Sequence, residues 1–399
     1  MSELKVASIK GLNASSAAIS IDNSSGSASA NLTTVNSVTM PNGGSLSNRN
    51  LVINGAMQIA ARGVTFNSAS SGQVSVDRFR FEQGGTSVTS VLNLTQKSNA
   101  ARDIGFEHSL KAEVATVDSS LASDHFTQFK YQIEAQDIVK RSQYGLSSAK
   151  QMTLSFYVKC SVTGTFPLAL NDGTGSRSNP HVYTINSADT WERKTITFNG
   201  DTGGNWQSQA DNAAGFGIRW GLAVGAGFFG TADGNWSADS SYANLYASYS
   251  NSLITTQGAT WELTGVQLEL GSVATDFEHK SFMEELQRCQ RYYCQTYNYG
   301  TYPGANAGGV GVIRNMAYGS SAYAGCGNFS FPVKMRTTPT CSLFSRDGTA
   351  GKINADGTLG NGSVGNVGAY CCNPARSNDN SGVGNQVSMS CHVTADAEI

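Results

Sequence analysis

The chain has 399 residues, of which 27 are Lys or Arg and 29 Asp or Glu, for a net charge of −2. Charged residues make up 14%, against roughly 25% in an ordinary globular chain. This near-neutral balance excludes the basic footprint of a duplex nucleic-acid binder, and no run of about 18 apolar residues marks a membrane span.

The missing charge is replaced by Ser, Thr, Asn and 44 glycines, with only 7 prolines. The start, Met1-Ser2-Glu3-Leu4-Lys5, has no apolar h-region, so synthesis and folding in a cytoplasm are expected. In that compartment the eight cysteines, with no C-x-x-C among them, read first as small buried hydrophobes.

Residues 1–49 carry short alternating runs, such as Leu4-Lys5-Val6-Ala7-Ser8-Ile9 and Ala18-Ile19-Ser20-Ile21, between Ser/Gly/Asn clusters. Short strands are expected, none of which buries enough to fold alone. The segment is either an extended attachment arm that finds its core on other chains or a disordered tail.

Residues 50–280 read as one large β domain. Met152 to Cys160 places apolar side chains at 152, 154, 156, 158 and 160, and Val76 to Phe81 also alternates. Trp191 to Phe198 stops at Asn199-Gly200, a strong turn signal. Trp261 to Leu270 changes phase at Thr264-Gly265, which predicts a bulge. Many strands without intervening helices predict a β-sandwich, and a domain this long predicts a jelly roll with long loops.

One helix is expected, over 281–294. Ser281 with Glu284 forms a capping-box pattern, and Phe282, Leu286, Cys289 and Tyr293 share one face. From 295 to 399 the pattern returns to strands and predicts a small C-terminal β-sandwich knob. Its last run, Val387 to Thr394, puts 387, 389, 391 and 393 inward and 388, 390, 392 and 394 outward.

An ordered set of segments resembles the tail-fibre and adhesion proteins of tailed bacteriophages. It begins with Asn50-Leu51-Val52-Ile53-Asn54-Gly55-Ala56-Met57 through Arg62-Gly63. Val76-Asp77-Arg78-Phe79, Ser155 to Cys160, Trp191 to Phe198, Trp261 to Gly271, and Phe277 to Tyr293 follow, and Val393 to Ile399 ends it. The resemblance implies a carbohydrate-binding-like jelly roll, a terminal knob, a homotrimer and a place on the virion tail or another appendage. It transfers no catalytic residues. The role it implies is non-enzymatic: docking to another virion protein through residues 1–49 and recognition of a host-surface glycan or protein by distal loops, with no membrane insertion and no nucleic acid. Two other readings stand beside it: an inert decoration protein of the tail or head, and an enzyme that degrades a surface polysaccharide.

Candidate ligand residues follow from side-chain chemistry. Trp206 and Trp236 lie in Gly-Asn-Trp triplets amid Asp, Asn and Gln, a pairing that suits a sugar ring, although large indoles also close the ends of a sandwich. Tyr299 and Tyr302 follow the helix, and Tyr318 and Tyr323 stand in a Gly/Ser-rich stretch; rigid amphipathic tyrosines suit recognition loops. Arg376 and Asn378 mark a further candidate tip loop. Asp201, Asp211, Asp233 and Asp239 read as loop carboxylates, since no spacing matches a calcium loop. His108, His125, His181, His279 and His392 are scattered. No cofactor, catalytic residue or metal ligand is expected.

Overall fold

The computed structural model describes residues 48–206, 211–231, 234–239, 242–251, 253–317, 324–355, 358–376 and 387–399, together with five short strands in the first 47. Of these strands, Ser8–Ile9, Ile19–Ile21 and Ala28–Ala30 form an antiparallel three-stranded sheet, and Thr34–Val35 pairs with Val38–Thr39.

The chain is all-β. Two antiparallel sheets face each other in a jelly-roll sandwich. One runs Glu192–Phe198, Met152–Cys160, Thr260–Leu270, Phe106–Thr116, Val91–Ala101, Thr65–Phe66. The other runs Ser237–Ala238, Arg177–Ile185, Gly164–Asp172, Ala214–Val224, Phe126–Glu134, Phe79–Gly84, Val74–Val76. The alternation read from the sequence sets the facing: Met152, Leu154, Phe156, Val158 and Cys160 meet Phe129, Phe166, Ile218 and Trp220 in one core. Burial of such side chains is the dominant favourable term in folding.

The bulge falls where the phase slip put it. Ser155 pairs with Gln267 and Tyr157 with Thr264, so the partner strand carries one extra residue around Gly265. Gly265 has φ +60, and a Cβ there would stand 2.6 Å from the Phe106 ring. Both facts require glycine.

A second helix, α1 (Ala135–Ser142), was not anticipated. It buries Ala135, Ile138, Val139 and Ser142, a spacing of three and four that follows directly on a strand. The expected helix, α2, is shorter than read: it spans Phe282–Gln290. Ser281 caps it, its side chain accepting the Glu284 backbone N–H at 3.2 Å. Its buried residues are Glu285 and Cys289, while Phe282 and Met283 are exposed. Of the expected stripe, Phe282 is exposed, Leu286 is half-buried, and Cys289 and Tyr293 are buried, so its first position turns away from the protein and the rest turns in. Glu285 turns inward because its carboxylate accepts the Asn54 backbone N–H and pairs with Arg288. Tyr293 leaves the helix for the strand Tyr293–Gln295, which pairs with the last strand.

That last strand, Val387–Asp396, is the centre of the knob. It pairs with Tyr293–Gln295, Ile313–Ala317, Thr340–Phe344 and Lys352–Ala355. Met389, Cys391, Val393 and Ala395 enter the knob core as expected. The outward set does not all reach solvent: Ser390, His392 and Thr394 are buried. The Tyr297 ring stacks on His392 with centroids 3.8 Å apart, which covers that face. All eight cysteines are free thiols. Burial pushes Cys160 and Cys294 up to about 12, which keeps them unreactive.

Sandwich, α2 and knob are joined by a buried polar network. Arg62 pairs with Asp77 at 2.8 Å and with Asp396 and Glu398 at 3.0 and 3.3 Å. Arg78 pairs with Glu398, donates to the Gln132 carbonyl at 2.6 Å, and lies 3.4 Å over the Tyr292 ring. The Glu134 carboxylate accepts two bonds from Arg291, each 2.7 Å, and one from the Tyr292 hydroxyl. Arg336 donates to the Ala397 and Asn212 carbonyls. Several resemblance segments thus meet at this junction, where they hold two domains together.

Candidate functional site

The outer face of the seven-stranded sheet carries an open cleft of about 250 Å³. Its floor follows from alternation. Phe79, Phe81, Phe129, Tyr131, Ile218 and Trp220 point into the core, so Arg80, Glu82, Gln128, Lys130 and Arg219 point out. Register then lines them up. Arg80 pairs with Lys130, and Lys130 with Arg219, so three cations stand abreast on adjacent strands. Like charges directly opposite each other destabilise a sheet.

One carboxylate sits against this row. Glu82, on the next row opposite Gln128, lies 2.7 Å from Lys130, 3.4 Å from Arg219 and 3.6 Å from Arg80. It also accepts the Gln128 amide at 2.9 Å. Burial opposes its ionisation, but Lys130 and then Arg219 outweigh that and hold its pKa below the usual carboxylate range. Burial pushes the Lys130 ammonium down; Glu82 pulls it back up, and Arg219 and Arg80 add to the depression.

The wall comes from the loop after Ala214–Val224. A 3₁₀ turn, Ala226–Phe228, starts it. The Tyr246 N–H donates to the Phe228 carbonyl at 2.9 Å, the Gly230 N–H donates to the Tyr246 carbonyl, and the Tyr249 hydroxyl accepts from the Val224 N–H. These bonds fold the loop back over the sheet. Phe126, Phe228, Tyr242, Leu245 and Tyr246 line the cleft. The Tyr246 hydroxyl donates to the Gln128 side-chain oxygen, which fixes that amide. The Arg219 guanidinium lies 4.9 Å over the Tyr242 ring, a cation–π contact. A Cβ at Gly175 would stand 2.5 Å from that ring, so glycine there leaves room for Tyr242. Aromatic walls over a floor of amide and charged groups offer a sugar both an apolar ring face and hydrogen-bond partners for its hydroxyls.

The candidates read from sequence fall elsewhere. Trp206 is 1% exposed, and its indole N–H donates to Asp201 at 2.8 Å. It packs edge-on against Tyr144 and Trp236 and offers no face to a ligand. Trp236 is half-buried on the same aromatic end-cap and donates to the Asn199 carbonyl. The two indoles close one end of the sandwich. Tyr299 bridges the domains: its hydroxyl donates to the Gln58 carbonyl at 3.1 Å, and its ring meets Phe282 edge-on. Tyr302 is half-buried in the knob. Arg376 ends the strand Cys371–Arg376. Tyr318, Tyr323 and Asn378 lie outside the described residues.

Among the loop carboxylates, Asp201 forms a two-pronged pair with Arg177 at 2.7 and 2.6 Å. Asp211 accepts the Ala213 N–H, and Asp239 accepts the Asn244 N–H. These contacts hold loops; Asp233 lies outside the described residues. A larger hollow of about 760 Å³ opens between sandwich, α2 and knob. Among its cations, Arg78, Arg288 and Arg291 are paired with Glu398, Glu285 and Glu134, Arg141 donates to the Asn48 carbonyl, and Lys334 lies over the Tyr370 ring, which makes it a domain seam.

The cleft was missed because its floor comes from three strands and its wall from a loop. A signal was present: Arg219 interrupts the apolar run Gly215-Phe216-Gly217-Ile218-Arg219-Trp220-Gly221-Leu222, and a charge there needs a partner.

No protein-family model matches the chain, and no curated protein matches it in sequence. Among solved structures, it is similar to the enzymatically active domain of tailspike protein 4 of bacteriophage CBA120, at 15% identity over 51% of this chain and 21% of that chain, with a TM-score of 0.29. It is also similar to TmCBM61 in complex with β-1,4-galactotriose, at 9% identity over 56% of this chain and 99% of that one, with a TM-score of 0.29. The family 11 carbohydrate-binding module of a Clostridium thermocellum cellulosomal cellulase gives 12% identity over 54% and 98%, with a TM-score of 0.26. The match therefore spans about a fifth of the tailspike chain, and likenesses this shallow carry no weight in the functional reading.

Proposed function

We propose that the chain is a non-enzymatic subunit of a bacteriophage fibre that recognises a saccharide on the host surface through the cleft above Glu82, Lys130 and Arg219. The observation that carries this reading is the cleft itself: a wall of Phe126, Phe228, Tyr242 and Tyr246 over a polar floor, on the outer face of a jelly-roll sheet. The ordered segments from Asn50 to Ile399 support the virion setting through their resemblance to tail-fibre proteins. Exposed Phe282 and Met283 on α2 offer apolar area for contact with other copies in a homotrimer, and residues 1–49 are the proposed attachment to the particle.

The described lining of the cleft holds one carboxylate, Glu82, kept ionised by its ion pairs. Glycoside hydrolysis generally uses two, one of them protonated. This favours binding over cleavage.

Labelled full-length protein is expected to bind intact host cells and to lose that binding after periodate oxidation of their glycans. Light scattering of the same sample is expected to give the mass of a trimer. Periodate-resistant binding would point to a protein receptor, and no binding at all would favour an inert decoration role.

A further inference from the structure

We infer that the cleft takes an anionic saccharide, a sugar bearing a carboxylate or a phosphate, rather than a neutral one; the inference rests on the cleft being the saccharide site. Two observations carry it. The first is charge. Arg80, Lys130 and Arg219 stand abreast across three adjacent strands, and Glu82 is the one acid set among them. Lys130 and Arg219 line the cleft and Arg80 stands beside it, so the floor keeps an excess of positive charge over Glu82, in a place where cross-strand repulsion alone argues against it. An anionic ligand supplies the missing charge.

The second is hydrogen-bond valence. Both oxygens of Glu82 are engaged, Oε1 by Lys130 and Oε2 by Gln128 and Arg219. The Gln128 oxygen accepts from Tyr246, and the Asn171 oxygen accepts from Arg219 Nε at 3.1 Å. Each of these acceptors is already engaged by the protein. The donors are not. Lys130 has three N–H groups, and among the described residues its partner is Glu82. Arg80 Nε is turned to the same carboxylate, 3.6 Å from Glu82 Oε1, so the N–H groups left over on the floor are those of Lys130. A floor with spare ammonium N–H groups and acceptors already engaged matches an oxyanion, whose oxygens only accept. A neutral sugar hydroxyl must also place its own proton, and here it meets donors.

The test is an array of glucose, galactose and mannose oligosaccharides, each displayed as the neutral sugar, the hexuronate and the 6-phosphate, probed with the full-length protein. At least one acidic form is expected to bind about tenfold or more tightly than its neutral counterpart, the scale of a charge-assisted hydrogen bond. Its binding is expected to weaken between low and high salt, a readout on the unmodified protein. Lys130→Gln keeps an amide for Glu82 and is expected to bring the acidic sugar down to the neutral level. Hexuronate and phosphate arms separate the two anion sources. Neutral sugars bound as tightly as acidic ones would overturn the inference and leave the saccharide cleft standing. No binding in any arm would overturn both.

Discussion

Replacing Arg78 by Met is expected to lower the unfolding temperature by roughly 6–20 °C. Arg78 is 2% exposed. It pairs with Glu398, donates to the Gln132 carbonyl and covers the Tyr292 ring. Met fills much of the stem's volume but removes every one of these polar contacts. Removing one partner from a buried ion pair costs about 3–5 kcal/mol, because the other partner is left desolvated and unpaired. For an unfolding unit of roughly 150–250 residues, the size of the sandwich, each kcal/mol is worth roughly 2–4 °C. Glu398 retains Arg62 at 3.3 Å, which places the loss toward the lower end. Differential scanning calorimetry checks it, and the change is also expected to split one transition into two as sandwich and knob uncouple. A variant within about 2 °C of the parent, with one transition, would show that the junction network does not bind the domains together.

The second large effect is on the pH dependence of the knob. His392 is fully buried under the Tyr297 ring, with Nδ1 3.1 Å from the Thr296 hydroxyl. Among the described residues its Nε2 has no hydrogen-bond partner. Burial drives its pKa down to about 4, against about 6.5 in an unfolded chain. Between those values the unfolded state binds more protons than the folded one, so stability rises with pH there. The contribution is complete above about pH 6.5 and is lost as pH falls toward about 4, amounting to about 3 kcal/mol. His392→Phe keeps a ring against Tyr297 and removes the titration. The parent is therefore expected to lose about 3 kcal/mol of stability relative to the variant as pH drops from 7 to 4. His108 and His125, also depressed by burial, titrate in both proteins and cancel. A difference independent of pH would mean that His392 is not held neutral.

Side-chain alternation made the strands legible, because a strand with one buried face must alternate. It also placed the Gly265 bulge and the Ser281 cap, since each is a local choice with a local signature. What depended on neighbours was not legible. The stripe Phe282, Leu286, Cys289, Tyr293 packs from Leu286 onward, but Phe282 stays exposed and Glu285 turns in beside Cys289, because its carboxylate meets Asn54 and Arg288. His392 looked solvent-facing, yet the Tyr297 ring stacks over it.

The cleft failed for the same reason. Lys130, Arg219 and Glu82 are far apart in sequence, and only register makes them adjacent. The two Gly-Asn-Trp triplets carried the composition of a sugar site, but packing took Trp206 into the sandwich end. Composition identified the chemistry, and strand pairing decided which residues supply it.

Binding of labelled protein to host cells by the parent, Tyr242→Ala and Tyr302→Ala tests the central claim most directly. Tyr242 walls the cleft and stacks on Arg219, so its loss is expected to weaken binding about tenfold, roughly 1.4 kcal/mol, with the fold intact. Tyr302 stands on the knob, and its loss is expected to change nothing. Full binding by Tyr242→Ala together with loss in Tyr302→Ala would contradict the account and move recognition to the knob.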